Sequence, residues 1–142
     1  MSMKITNGPE FKRKLEEFEV QVKDNAEQMV RRVAFAVDKA VVMASPVDTG
    51  RFRANWQPTI SVPATGTVQH IPGSGGSSGS SNAANAMAQM AAVTRNYRLE
   101  HGIIWIVNNL EYGPRLNDGH SKQAPANFVQ KAIRAGIEEA KR

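Results

Sequence analysis

The sequence predicts an α+β domain: a long amino-terminal helix and two further helices packed on a small antiparallel sheet. Three observations carry this. Apolar residues recur in steps of three and four from Phe11 to Ala40, the period of one helical face. Residues 45–56, Ser-Pro-Val-Asp-Thr-Gly-Arg-Phe-Arg-Ala-Asn-Trp, stop that helix and change the period. Ile103-Ile104-Trp105-Ile106-Val107 is an unbroken apolar, mostly β-branched run, the pattern of a strand buried on both faces. At 142 residues the chain is expected to be one domain, 1–142, with enough length to bury a core.

In chain order, Thr6-Asn7-Gly8-Pro9 offers a polar cap and a proline near the first helical position. The stripe then runs through Phe11, Leu15, Phe18, Val22, Ala26, Met29, Val33, Ala36 or Val37, and Ala40. A helix of about 35 residues is roughly 50 Å long at 1.5 Å per residue, whereas a compact domain of this size is below about 40 Å across. Such a helix overhangs its own subunit, bends or breaks; two shorter helices hinged at Asp24-Asn25 are the alternative. An overhanging apolar stripe calls for a neighbour to cover it.

Pro46 ends the helix by restricting Ser45, and Asp48-Thr49-Gly50 supplies turn chemistry, with a glycine free to take positive φ. Residues 51–62 then read as a strand. Phe52, Ala54 and Trp56 lie on one face, and Arg51, Arg53, Asn55 and Gln57 on the other. Pro58 makes it an edge strand or bulges it. Thr67 to Ile71 reads as a short returning strand, and residues 72–81, almost all Gly and Ser, as a flexible loop inside the domain.

Asn82 to Thr94, rich in alanine, is a helix by propensity, its Met87 and Met90 filling core. The strand at 103–107 pairs most simply with the one carrying Trp56. Asn108 to Lys122 is irregular, with at most one helical turn near 110–116. A last helix follows Ala124-Pro125-Ala126-Asn127, its stripe carried by Phe128, Ala132, Ile133, Ala135 or Gly136, and Ile137.

Composition excludes several functions. With no cysteine, neither a disulfide framework nor a thiolate metal site is available. The opening residues lack a signal peptide's apolar run, and no stretch reaches membrane-spanning length. His70, His101 and His120 are scattered, without metal-ligand spacing. Asp118-Gly119-His120-Ser121 holds triad residue types, but adjacent in a turn they cannot converge as a triad must. Gly73 to Gly79 lacks the lysine and the strand–helix context of a phosphate loop. No catalytic, cofactor-binding or metal site is expected. The net charge of +5 suits an acidic partner or nucleic acid, yet Lys12-Arg13-Lys14 is followed at once by Glu16-Glu17, as on a mixed solvated face. Arg51 and Arg53 fit either an intersubunit or phosphate contact or, for Arg51, a local pair with Asp48.

Two stretches together resemble the neck or tail-completion (tail-component) proteins of long-tailed bacteriophages. The first is Ser45-Pro46-Val47-Asp48-Thr49-Gly50-Arg51 with Trp56 beyond it. The second is Asn108-Asn109-Leu110-Glu111-Tyr112-Gly113, followed by Gly119-His120-Ser121-Lys122-Gln123-Ala124-Pro125-Ala126-Asn127-Phe128-Val129. Residues 114–118 lengthen the usual link between the two parts of the second stretch. The resemblance marks Pro46, Asp48, Thr49, Gly50, Arg51, Trp56, Glu111, Tyr112, Gly113, Pro125 and Phe128 as structural motif residues. With the overhanging helix it suggests Phe11, Leu15, Phe18, Arg51 and Arg53 as subunit-interface residues.

What the resemblance implies is a virion structural protein, not an enzyme, made in the host cytoplasm and built into the neck or tail. It implies a homo-oligomer, a six-fold ring, between head-connector and tail-tube proteins, with a pore that passes DNA without reading it. The competing expectation is a small basic nucleic-acid-binding module; a hydrolase built on Asp118 or His120 is more distant.

Overall fold

The computed structural model describes residues 8–46, 50–69, 76–122 and 124–142, the side chains of 76–80 excepted. Its first element, α1 (Gly8–Ala44), is one helix of 37 residues, about 55 Å long. It does not break at Asp24-Asn25. Then come α2 (Arg51–Ala54), β1 (Trp56–Ile60), α3 (Gly76–Asn96), a 3₁₀ turn (Leu99–His101), β2 (Ile104–Asn108), α4 (Gly113–Asn117) and α5 (Phe128–Ala140). The α+β class is as expected: helices against a two-stranded antiparallel sheet in which Trp56 faces Asn108 and Ile60 faces Ile104.

The core is small and lies at the far end of α1. Val41 and Val42 meet Phe52, Trp56, Ala83, Ala86, Leu110, Phe128 and Ala132 there. Met90 is fully buried and Met87 packs against the core, as their helical spacing predicts. Both α3 and α5 run back along α1: Arg31 Nη2 donates to the Tyr97 carbonyl just past α3 (2.6 Å), and Arg32 Nη2 to the Ala140 carbonyl at the end of α5 (2.9 Å). Gly136 makes the α1–α5 crossing close. A Cβ there would lie 2.7 Å from Val37 Cα and 2.9 Å from the Ala36 carbonyl oxygen.

Four local expectations are corrected. Residues 51–54 are helical, not extended; Phe52 and Trp56 share a face whether the step of four is read as helix or strand, so the pattern could not separate them. The returning strand is absent at 67–69, and His70 and Ile71 lie outside the described residues. Backbone there is held instead by a side chain: Val68 N–H donates to Asn55 Oδ1 (2.8 Å), and Asn55 Nδ2 donates to the Val68 carbonyl (3.3 Å). Within the Gly/Ser run, residues 76–81 are the opening turns of α3, while 72–75 lie outside the described residues. Extending an existing helix costs far less than starting one, so the alanine-rich segment carries poor helix formers with it. Lastly, β2 is half-buried throughout rather than enclosed, because a two-stranded sheet cannot cover both of its faces. Pro58 sits comfortably in β1, since a strand of a two-stranded sheet is an edge strand.

Candidate functional site

Two features stand apart from the core: the free half of α1, and a crevice beside its other half.

Every α1 residue from Gly8 to Asn25 is exposed. Phe11, Leu15, Phe18 and Val22 repeat at steps of four, three and four and so share one face, and they are 47%, 51%, 63% and 50% exposed. Farther along the same face lie Met29, also exposed, and then Ala36, which α5 covers at the Gly136 crossing. The stripe is therefore covered only as far as α5 reaches. Beyond the level of Arg32 it continues bare, as an arm.

The base of the arm is braced from one side. Glu27, buried, accepts the Leu99 N–H (3.0 Å) and lies 3.9 Å from the Arg98 guanidinium. Lys23 donates to Glu100 of the 3₁₀ turn, and this contact raises the lysine's pKa and lowers the carboxyl's. Past Lys23 the exposed residues Glu16, Glu17 and Glu19 are neighbours of Phe18 in sequence, while Lys14, Leu15, Gln21 and Val22 stand one helical turn away on its own face. Among the described residues these three acids have no ion-pair partner; Lys14 and Glu10 pair nearer the tip, at 3.5 Å.

The crevice, about 570 Å³, lies between α1, the end of α3 and the end of α5. Phe35 and Ala140 line it, with Arg31, Arg32, Lys39 and Arg95. None of these four cations meets an Asp or Glu side chain among the described residues, Arg32 Nη2 donates also to the Arg142 carbonyl (2.9 Å), and Arg31 Nε is buried without a hydrogen-bond partner among the described residues. Glu139 is the one acid in the lining. Neither Asp118 nor His120 reaches it, and no three His, Asp or Glu side chains converge as metal ligands among the described residues. No helix there is long and apolar enough to cross a membrane.

The expected motif residues do converge, around Phe52. Its ring meets Trp56 edge-on at 5.8 Å between centroids, Phe128 edge-on at 6.1 Å and Tyr112, tilted, at 6.1 Å. A Cβ on Gly113 would stand 3.3 Å from the same ring, so this glycine admits Phe52 to the core. Pro46 is buried, and Gly50 adopts φ 77°, as the turn requires. Glu111 and Pro125 are exposed. Asp48 and Thr49 lie outside the described residues, and with them the pairing of Arg51 and Asp48.

Arg53 has an occupation within its own subunit. Its Nη2 donates to the Met43 carbonyl (2.8 Å) and its Nε to the Ser45 carbonyl (3.2 Å), carbonyls the end of α1 leaves without helical partners. Burial lowers its pKa. Arg51 is exposed and close enough to Tyr112 to counter the rise in the phenol's pKa that burial causes. Two contributors escaped sequence reading. Ser45 Oγ donates to the Val41 carbonyl (2.5 Å) and accepts Trp56 Nε1–H (2.8 Å), tying helix end to strand start. Asp38 is fully buried on α1, and neither carboxylate oxygen has a hydrogen-bond partner among the described residues. Desolvation raises its pKa to about 7.

Residues 9–75 match the family model described as "Bacteriophage HK97-gp10, putative tail-component". Over these residues, just under half of the chain, the sequence is similar to that phage tail-component family. The match takes in the bare arm, the stretch from Pro46 to Gly50 and β1. It bears out the first stretch on which the resemblance was drawn; the second, from Asn108 to Val129, lies outside the matched residues. The tail-component match supports a structural role in a tailed-phage virion. No curated protein and no solved structure matches the chain.

Proposed function

We propose that this chain is a non-enzymatic subunit of a ring at the head–tail junction of a long-tailed phage, acting in neck formation, tail completion or tail termination. The observation that carries the reading is the tail-component match across α1 and its turn. The bare stripe from Phe11 to Met29 supports it. An exposed apolar face of this size on a soluble chain marks an interaction surface. In this reading subunits close into a homo-oligomeric ring, six-fold as the resemblance implies, around a pore that passes DNA. One face of the ring meets head-connector proteins and the other the tail tube.

Particles purified from a phage encoding the protein test this. The expected result is the chain present in stoichiometric amount at the neck by imaging, and separate heads and tails when it is not made. Normal, joined particles without it overturn the reading. The four cations of the crevice favour a second reading, a basic nucleic-acid-binding module. That reading requires a monomer whose DNA affinity falls steeply with salt.

A further inference from the structure

We infer that the bare arm is covered by the arm of a second copy, laid antiparallel so that Phe11 meets the partner's Val22 and Leu15 the partner's Phe18. The inference goes beyond the ring reading, which leaves the occupant of the stripe open, and does not rest on it.

The direction follows from what flanks the stripe. Behind it, the 3₁₀ turn braces the arm through Glu27, five residues past Val22 and so about 140° round the helix, which leaves the stripe's own face clear. Farther along, that face is taken. The Ala140 and Arg142 carbonyls accept from Arg32, and α5 packs on Ala36 and Val37 at Gly136. Because α1 is unbroken, a parallel partner in register would run on into the space that α5 fills. An antiparallel partner ends instead. With Phe11 opposite Val22, the partner's Gly8 stands level with Asn25, about 10 Å short of Arg32.

The register follows from charge. Phe11, Leu15, Phe18 and Val22 recur at the alternating four- and three-residue steps of a heptad seam. Lys12 and Glu19 stand along one flank of the seam, Lys14 and Gln21 along the other. In an antiparallel pair each flank meets the same flank of the partner. At the stated register Lys12 faces the partner's Glu19, twice over by symmetry, and Lys14 faces the partner's Gln21. One heptad nearer the tips, Lys12 would face Lys12 and Lys14 would face Lys14. One heptad nearer the bodies, Glu19 would face Glu19, and Leu15 would face Asn25. Opposite charge thus selects one register and penalises its neighbours. Lys12 and Glu19 have no ion-pair partner among the described residues, whereas Lys14 already holds Glu10 at 3.5 Å and loses nothing opposite glutamine.

The contact spans roughly 18 Å of helix, small beside the ~1,200 Å² at which standard interfaces begin, so the pair is weak and concentration-dependent. It is isologous and closes at two copies. It covers the arm of the free chain and is not the contact that closes a ring.

The chain's lack of cysteine lets single thiols report the pairing. Full-length Phe11→Cys and Val22→Cys proteins of different mass are mixed and oxidised. The mixed disulfide is expected at least tenfold over either symmetric one, because like positions stand about 16 Å apart along the axis, beyond a disulfide's reach. In sedimentation equilibrium, Lys12→Glu and Glu19→Lys should each dimerise at least fivefold more weakly than the wild type. Their equimolar mixture should recover, since it again sets unlike charges opposite. All four sites are exposed, so folding is not at risk.

Dominant symmetric disulfides would mean parallel arms and overturn the inference. So would a chain monomeric up to about 1 mM, or charge variants that dimerise like the wild type. A virion ring whose arms cross-link at like positions overturns it while sparing the assembly reading. Antiparallel pairing by a protein absent from particles does the reverse.

Discussion

Gly136 and Asp38 show how one residue can set the terms for a helix pair. At Gly136 two effects oppose each other. Alanine is the better helix former by up to about 1 kcal/mol, but its Cβ would press on Val37 backbone at 2.7 Å, and overpacking costs typically 1–3 kcal/mol. Backbone cannot rotate away as a side chain can, so Gly136→Ala should lose about 1–2 kcal/mol, visible as a lower Tm. Asp38 gives a pH signature. Its folded pKa, about 7, stands above the ordinary 3.8. The folded state thus holds the proton more tightly, so stability is greatest below pH 4, falls as pH rises and has lost its full share above pH 7. The span of about three pKa units is worth at most about 4 kcal/mol. Asp38→Asn should match the wild type near pH 4 and exceed it by about 1–3 kcal/mol at pH 8. Denaturant titrations at the two pH values read this directly, and equal gaps at both would refute it.

Among the elements, the end of α1 depends on a side chain ten residues away. Arg53→Ala removes both of its donors from the Met43 and Ser45 carbonyls and should cost about 1–2 kcal/mol. Arg53→Lys keeps the charge without the planar fork and should recover only part of the loss by thermal denaturation. This is also where sequence reading found its limit. The stop at Pro46, the positive φ at Gly50 and the pairing of the Trp56 and Trp105 strands followed from local chemistry and were legible. The short helix at 51–54 was not. Its side chains satisfy a helical and an extended period equally, and what decides is Arg53 reaching back to α1, a tertiary demand. Likewise the Ser45 hydroxyl bridging Val41 and Trp56 looks like any serine before a proline. The glycine-serine run at 76–81 was misjudged because composition weighs residues singly, whereas helix propagation weighs them with their neighbours.

For the molecule as a whole, the stripe from Phe11 to Met29 was legible as a surface in need of cover, while the crevice was not. Arg31, Arg32, Lys39 and Arg95 come from two helices, and no spacing in the sequence joins them. The division of α1 into a packed half and a bare one predicts two exchange regimes in the isolated subunit. Backbone amides at 12–22 should exchange orders of magnitude faster than those at 34–42, because a lone helix opens without breaking tertiary contacts. Hydrogen-exchange mass spectrometry checks this, and uniform protection along α1 would contradict it. Phe18→Asp should leave thermal stability within about 0.5 kcal/mol of the wild type, as expected for an exposed site.

The brace at Lys23 and Glu27 gives the rod a fulcrum. From Lys23 to Gly8 the unsupported length is about 22 Å, so a flexure of only 10° sweeps the tip through roughly 4 Å. Helices curve that gently at little cost. A surface carried on such a spring can meet its counterpart over a range of spacings without any repacking of the core at the far end of the rod.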